Sequence, residues 1–275
     1  MNFLGLDHDK AGRDRICVVP VPLEWSTSYR SGTAMAPEAI IEASCQIELY
    51  NAPLDLDLEH AGIVTLQPGV TSRDDLVSFI RSRRKTLLDS FTCFIGGEHS
   101  ITPWILEELA CGEIGLVWLD AHADLRASYR GERESHACAA RNALRFGPIV
   151  EVGVRSFSRE EHEFLSRDDR VQVFGTWSPG ARDAIGHLPD RIYLSLDFDC
   201  MDPSILRAVG TPEPDGLTWR ELMDLLTFLF DEKTVVAMDA VELCPVPDDE
   251  TSNFIAAKII YEAVSRFLKG GGRRA

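Results

Sequence analysis

No run of the 275-residue sequence approaches the ~20 consecutive apolar residues of a membrane span, so the chain is not expected to cross a bilayer. Met1 to Arg15 is too polar for a secretory signal. Positive charge is also scarce: 28 Lys and Arg stand against 44 Asp and Glu, a net charge of −16. A surface of that sign repels a phosphate backbone, which argues against nucleic acid as a partner and mildly favours a cationic small molecule. The seven cysteines are odd in number and lack paired spacing, so neither a disulfide framework nor a zinc knuckle is expected; reduced thiols and cytoplasmic residence are. Also missing are a Gly/Ser linker, a composition break, an internal repeat and a low-complexity segment. The expectation is one α/β domain over residues 1–275, with 45% hydrophobic residues to fill its core.

What the chain does contain is alternation. Short apolar runs suited to burial on both faces fall near 15–21, 62–66, 91–96, 114–120, 149–154, 171–175, 191–197 and 234–240. Helical patterns fall near 36–46, 72–88, 100–110, 136–146, 158–167, 218–230 and 252–268. Parallel strands need crossovers, so strand-helix alternation predicts a mainly parallel sheet with helices on both sides. A closed barrel has the same pattern and stays open at this point. Gly270-Gly271-Gly272-Arg273-Arg274 reads as a frayed tail.

Two of the apolar runs end in acidic clusters. Ile114–Leu119 leads into Asp120-Ala-His122-Ala-Asp124, and Arg191–Leu196 leads into Asp197-Phe-Asp199. In an extended chain residues i and i+2 share a side, so each motif is expected to aim its donors at one point. Parallel strands bring their C-terminal ends to one sheet edge, where α/β proteins bind ligands. Four carboxylates and an imidazole gathered there repel one another unless cations are present, and two divalent ions cancel four charges. An Asp-x-Asp alone is cheap in so acidic a chain: Asp55-Leu-Asp57 has no buried strand before it and reads as solvated surface. A third run, Thr92–Ile95, is followed by Gly96-Gly97-Glu98-His99-Ser100, where the glycine pair permits tight backbone geometry that delivers His99 to the same edge. A lone histidine is more often a core or surface residue; only this context raises His99.

Gly96-Gly-Glu-His-Ser100, Asp120-Ala-His-Ala-Asp-Leu-Arg126, Ser195-Leu-Asp-Phe-Asp-Cys-Met-Asp-Pro203 and Gly210-Thr-Pro-Glu-Pro214 resemble, in order and spacing, the motifs of the ureohydrolases, the arginase and agmatinase superfamily. The resemblance runs from about Val18 to the last helix. It implies a three-layer α/β/α fold with an eight-stranded, mainly parallel sheet, in place of the barrel, and two Mn2+ ions per subunit, with Ni2+ or Co2+ as alternatives. The implied ligands are His99, Asp120, His122, Asp124, Asp197 and Asp199. Carboxylates and imidazole without thiolate suit manganese better than structural zinc, so Cys138, Cys200 and Cys244 read as packing residues.

The same resemblance makes His136 the proton shuttle, Glu242 the carboxylate that holds a guanidinium, and Thr211 a residue lining the site. Ser135 would cap the helix that begins at His136. Without the resemblance, His136 would read as an exposed first-turn histidine and Glu242 as a salt-bridge partner. The implied reaction is hydrolysis of a guanidino group to urea and an amine by a metal-bridging hydroxide oriented by Asp124. Agmatine is the expected substrate, since Glu213 suits an amine-ended chain; Arg126 suits a carboxylate instead, unless it pairs with Glu213. Arginase, guanidinobutyrase and aminopropylagmatine ureohydrolase are alternatives, as are a single-metal deacetylase of the same fold and a silent metal-binding subunit. A homotrimer or homohexamer is implied. Ala34 and Ile41 stand where arginines are usual, Arg207 and Ala208 replace Pro-Gly, Asp215 replaces glycine, and an Asp-x-Gly-Asp signature is missing after the second strand.

Overall fold

The computed structural model describes residues 1–6 and 16–270. The expected first strand begins at Arg15 and the expected frayed tail runs to Arg274; Arg15 and residues 271–274 lie outside the described residues.

Eight strands form one all-parallel sheet: β1 (Ile16–Val21), β4 (Ile63–Thr65), β5 (Phe91–Gly96), β6 (Gly115–Leu119), β7 (Ile149–Val152), β8 (Val171–Phe174), β9 (Arg191–Asp197) and β10 (Thr234–Val241), in the spatial order β4-β1-β5-β10-β9-β6-β7-β8. All lie where the apolar runs fall. Two short strands, β2 (Tyr50–Asn51) and β3 (Leu56–Asp57), pair antiparallel as a separate ribbon, and Asp55 and Asp57 on it are exposed, as read.

Alternate residues of each strand serve two cores. Phe91, Cys93 and Ile95 of β5 face a cluster shared with α1 (Ala36–Ser44), α6 (Pro179–His187), α7 (Trp219–Glu232) and α8 (Glu250–Lys269). Phe94 faces the other, with α2 (Arg73–Asp89), α3 (Ile101–Leu109) and α4 (Ala139–Ala143), against which α5 (Arg159–Leu165) packs Phe164. Burial on both faces is why these strands are continuous apolar runs. Capping boxes start α5 and α7: Ser158 with Glu161 and Thr218 with Glu221 each satisfy one another's backbone donors.

Two helical expectations are corrected. The pattern near 136–146 is a 3₁₀ turn, His136–Cys138, followed by the five residues of α4. Ser135 makes no side-chain cap bond there; its Oγ lies 3.3 Å from His136 Nδ1 instead. Helix α6 escaped the periodicity, because Gly180 and Gly186 dilute its pattern. Its signals were Ser178, whose side chain accepts from Ala181 N, and Pro179 in the first turn. No helix among the described residues is long and apolar enough to cross a membrane.

None of the departures from the resembled pattern falls on a proposed ligand. Arg207 pairs with Asp249 at 3.1 Å, Ala208 and Ile41 are buried, and Ala34 donates its backbone N–H to Glu24. Asp215 has φ +67°, the conformation that makes glycine common at such a position.

Candidate metal centre

Strands β5, β10, β9 and β6 are neighbours at the middle of the sheet. Their C-terminal ends deliver His99, Glu242, Asp197 with Asp199, and Asp120 with His122 and Asp124 to one edge. The extended i, i+2 expectation explains only part of the convergence. Asp199 sits in a 3₁₀ turn, Phe198–Cys200, and donates its own N–H to Asp197 Oδ1 at 2.8 Å. Asp124 is turned inward by a positive φ of 49°, and Glu242 by one of 66°. Such conformations cost non-glycine residues about 1–3 kcal/mol and persist where the surroundings over-determine them. Asp199 Oδ1 also accepts from Ala121 N at 3.0 Å, which ties the two acidic motifs together.

The glycine pair acts through close approach, since neither residue has a positive φ. A Cβ on Gly97 would stand 2.0 Å from Leu23 O, and one on Gly96 2.4 Å from Ile101 Cδ1. Gly97 O meanwhile accepts from Glu242 N at 2.8 Å. The bare backbone thus lets the chain after β1 and the chain after β10 pack against the turn that carries His99.

His99, Asp120 and Asp197 bring ligand atoms within 4.8 Å of one another, and so do Asp120, His122 and Asp199. Asp120 belongs to both groups, as a residue shared by two ions would. Buried His99 Nδ1 faces Asp120 Oδ2 at 3.1 Å, Asp197 Oδ2 at 3.3 Å and Asp124 Oδ2 at 3.5 Å. It has no hydrogen-bond partner among the described residues. Its other nitrogen, Nε2, lies 2.8 Å from Ser195 Oγ, and Ser195 gives its hydrogen to Asp239 Oδ1 at 2.7 Å. With that hydrogen committed, Ser195 can only accept from His99, so Nε2 carries the proton and Nδ1 is left as a lone pair aimed at carboxylates. Only a cation or a further proton makes that arrangement favourable. In the chain by itself burial disfavours the charged His99 ring, but Asp120, Asp124 and Asp239 outweigh it and raise its pKa to about 9.

His122 repeats the pattern: Nδ1 is 2.9 Å from Asp199 Oδ2 and Nε2 is 4.0 Å from Glu213 Oε1. Burial opposes its charge, while Asp199 and Asp120 push its pKa to about 12. Burial raises Asp124 and Asp197 well above the ordinary carboxylate range, with neighbouring acids adding to the effect. No thiolate enters either group. The donors are the all-oxygen and imidazole set that hard divalent cations select, and the orphaned Nδ1 supplies the fit.

Above this floor opens a cavity of about 240 Å³, lined by Ser28, Tyr29, Arg30, Asp124, Arg126, Tyr129, His136, Phe157, Glu161, Thr211 and Glu242. Glu242 Oε1 accepts from His99 N at 2.7 Å; burial, then Glu98, raises its pKa to about 8. Burial lowers His136, leaving its ring neutral near pH 7. Arg126 does not pair with Glu213. Its guanidinium lies over the Tyr129 ring, and Nε is 3.8 Å from Glu161. Glu213 is outside the lining, and its carboxylate stands 4.0 Å from His122 Nε2.

These placements parallel known proteins. The model of the arginase family matches residues 14–265. The chain belongs to the arginase family. Among its curated relatives, an N(1)-aminopropylagmatine ureohydrolase of Synechocystis sp. is 34% identical over 90% of this chain and 87% of its own length. An agmatinase of Pyrococcus horikoshii is 31% identical over 90% of each. The solved structure of the agmatine ureohydrolase of Thermoplasma volcanium superposes with a TM-score of 0.83 at 30% identity, covering 97% of this chain and 93% of that one. The all-parallel sheet is therefore the arginase-family α/β/α fold.

Several residues around the candidate centre carry no clear mark in the sequence. Ser195 and Asp239 lie inside strand motifs; a carboxylate in the middle of an apolar strand was the available signal for Asp239. Arg155 escaped altogether: its guanidinium donates to the carbonyls of Asp199, Glu213 and Pro214, clamping the turn that carries Glu213 beside the 3₁₀ turn of Asp199. Nothing in its local sequence marks it.

Proposed function

We propose that this arginase-family hydrolase cleaves an amine-ended guanidine, agmatine or an aminopropyl derivative of it, to urea and the corresponding amine. The observation that carries the reading is a half-buried carboxylate, Glu242, beside a His/Asp cluster built around an orphaned imidazole lone pair, with a neutral histidine on the wall of the same cavity. The relatives named for agmatine and aminopropylagmatine support this substrate class.

His99, Asp120, His122, Asp124, Asp197 and Asp199 would hold two Mn2+ ions. When bound, such ions acidify a water from 15.7 towards about 7 and stabilise negative charge as it develops. The chain's own residues do the rest. Glu242 has Oε1 committed to His99 N–H, which leaves Oε2 free to accept from a guanidinium and hold its carbon over the cluster. A guanidinium cation brought against Glu242 keeps that carboxylate ionised against the effect of burial. Asp124, held inward by its positive φ, orients the attacking water and accepts its proton. His136 carries a proton to the departing nitrogen, which must leave as a neutral amine. Thr211 lines the same cavity. Glu213 Oε1 stands 4.0 Å from the outer nitrogen of His122, beyond hydrogen-bond distance.

Arg30 and Arg126 on the cavity wall favour a second reading, a guanidine that ends in a carboxylate. Urea release from a manganese-reloaded enzyme decides between them, using agmatine, aminopropylagmatine, arginine and guanidinobutyrate. Turnover of the amine-ended pair, abolished by chelation and reduced by about 10³ or more in Glu242→Ala, is expected; preference for the carboxylate-ended pair overturns the substrate assignment. The assembly is proposed to be a trimer or hexamer.

A further inference from the structure

Glu98 is a buried carboxylate next to the site to which the mechanism gives no part. It is fully buried and accepts four hydrogen bonds. Oε2 takes the backbone N–H groups of Trp25 and Ser26 at 2.9 and 2.8 Å, and Oε1 takes the hydroxyls of Ser26 and Ser100 at 2.7 and 2.6 Å. It thereby ties the chain after β1 to the turn that carries His99. Ser26 Oγ in turn accepts from His136 N at 3.0 Å and lies 3.1 Å from His136 Nδ1.

A hydroxyl has one hydrogen and two lone pairs. The hydrogen of Ser26 is spent on Glu98 and one lone pair on His136 N–H. The contact with Nδ1 can then be made only by the remaining lone pair, so Nδ1 must bring the hydrogen. We propose that Glu98 is a positioning residue that acts through Ser26 to fix His136 as the Nδ1–H tautomer, leaving Nε2 bare. Ser28 Oγ, 2.8 Å from Nε2, donates to that lone pair, and both Ser28 and His136 line the cavity. Nε2 is then the atom that takes up and delivers the proton. The catalytic part of this inference rests on the role proposed for His136; the tautomer does not. Asp239-Ser195-His99 is built the same way, so one site contains two carboxylate-serine-imidazole chains of fixed polarity.

Glu98→Gln tests the polarity with little change of shape. The amide oxygen can keep the Trp25 and Ser26 N–H bonds, while the amide N–H₂ donates to Ser26 Oγ. That frees the Ser26 hydrogen to turn towards His136 and selects the Nε2–H tautomer. The readout is the ¹⁵N tautomer signature of the full-length, ¹⁵N-histidine-labelled chain, without added metal and with diamagnetic Zn2+, His136 being assigned by its loss in His136→Asn. The parent should report Nδ1–H, and Glu98→Gln should move His136 to Nε2–H. In the manganese-loaded enzyme kcat for urea release should fall by about 10² with KM changed less than about threefold. A tautomer that moves while kcat stays constant upholds the positioning by Glu98 and sinks the proton role of His136. An unmoved tautomer overturns the proposal, as does an equal move in Ser135→Ala, since Ser135 Oγ is the other hydroxyl near Nδ1. If Glu98→Gln does not fold, Ser26→Ala carries the test: removing the acceptor must weaken the Nδ1–H preference.

Discussion

The centre depends on where single hydrogens sit. Asp239 accepts from Ser195, Tyr193 and Thr102, at 2.7, 2.7 and 2.8 Å, so three donors surround a group with nothing to give. Asp239→Asn introduces two N–H donors into that ring, lets Ser195 turn its hydrogen to His99 Nε2, and favours a proton on Nδ1, where a metal would bind. Affinity for Mn2+ should fall by about 10–100-fold in a calorimetric titration with the fold retained; unchanged affinity would remove Ser195 from the account. The proposed ligands themselves were legible in the sequence because each terminates an apolar run, and strand ends meet at one edge. The partners that set tautomers were not. Ser195 and Asp239 meet across two strands whose pairing, Asp239 opposite Ser195 in β10 and β9, exists only once the sheet order is known. Glu98 lies within the Gly-Gly-Glu-His motif, yet its bonds run 72 and 73 positions back to Ser26 and Trp25.

At the scale of elements, two glycines of similar appearance in the sequence have opposite meanings. Gly97 touches the backbone at Leu23, and a Cβ there would require the β1 to α1 connection to move. Gly97→Ala should cost about 1–3 kcal/mol in denaturant unfolding and should depress urea release, since that connection carries Ser26 and Ser28. Gly186 lies in α6 with nothing within 4 Å of the added carbon. Gly186→Ala should raise stability by about 0.5–1 kcal/mol through helix propensity and leave activity unchanged. Equal effects from the two would mean that close approach is not what Gly97 provides. The same contrast explains which elements could be read. Strands buried on both faces announce themselves as apolar runs; α6, short and glycine-bearing, announces itself only through its N-terminal Ser-Pro. Around His136 the sequence has helical spacing, but the chain makes a 3₁₀ turn, His136–Cys138, before the five residues of α4, and His136 N–H finds its acceptor in Ser26 Oγ of another element.

For the whole molecule, the site works against the fold unless cations enter it. In a chain stripped of metal, burial raises Glu242 from 4.5 to about 8 and carries Asp124 and Asp197 upward as well. Carboxylates raise His99 from 6.5 to about 9 against the effect of burial. Each of these groups holds its proton more tightly when folded than when unfolded. Its contribution is therefore complete below the unfolded value and is lost as pH rises through the folded one. Asp120, which moves the other way, titrates below this window. The stripped chain should accordingly lose stability from about pH 4.5 to about 9. Metal ions replace those protons, so binding releases protons and tightens as pH rises. By mass action a ligand at 100 times its Kd adds about 2.7 kcal/mol. The gain in Tm on adding Mn2+ to chelator-treated protein should thus widen steadily from about pH 5 to 8, saturate at two ions per chain, and be blunted in Asp120→Asn, which removes the residue common to both groups. A gain that is flat with pH, or complete at one ion, would mean that the carboxylates are not exchanging protons for a metal pair and would return the second group of ligands to structural work.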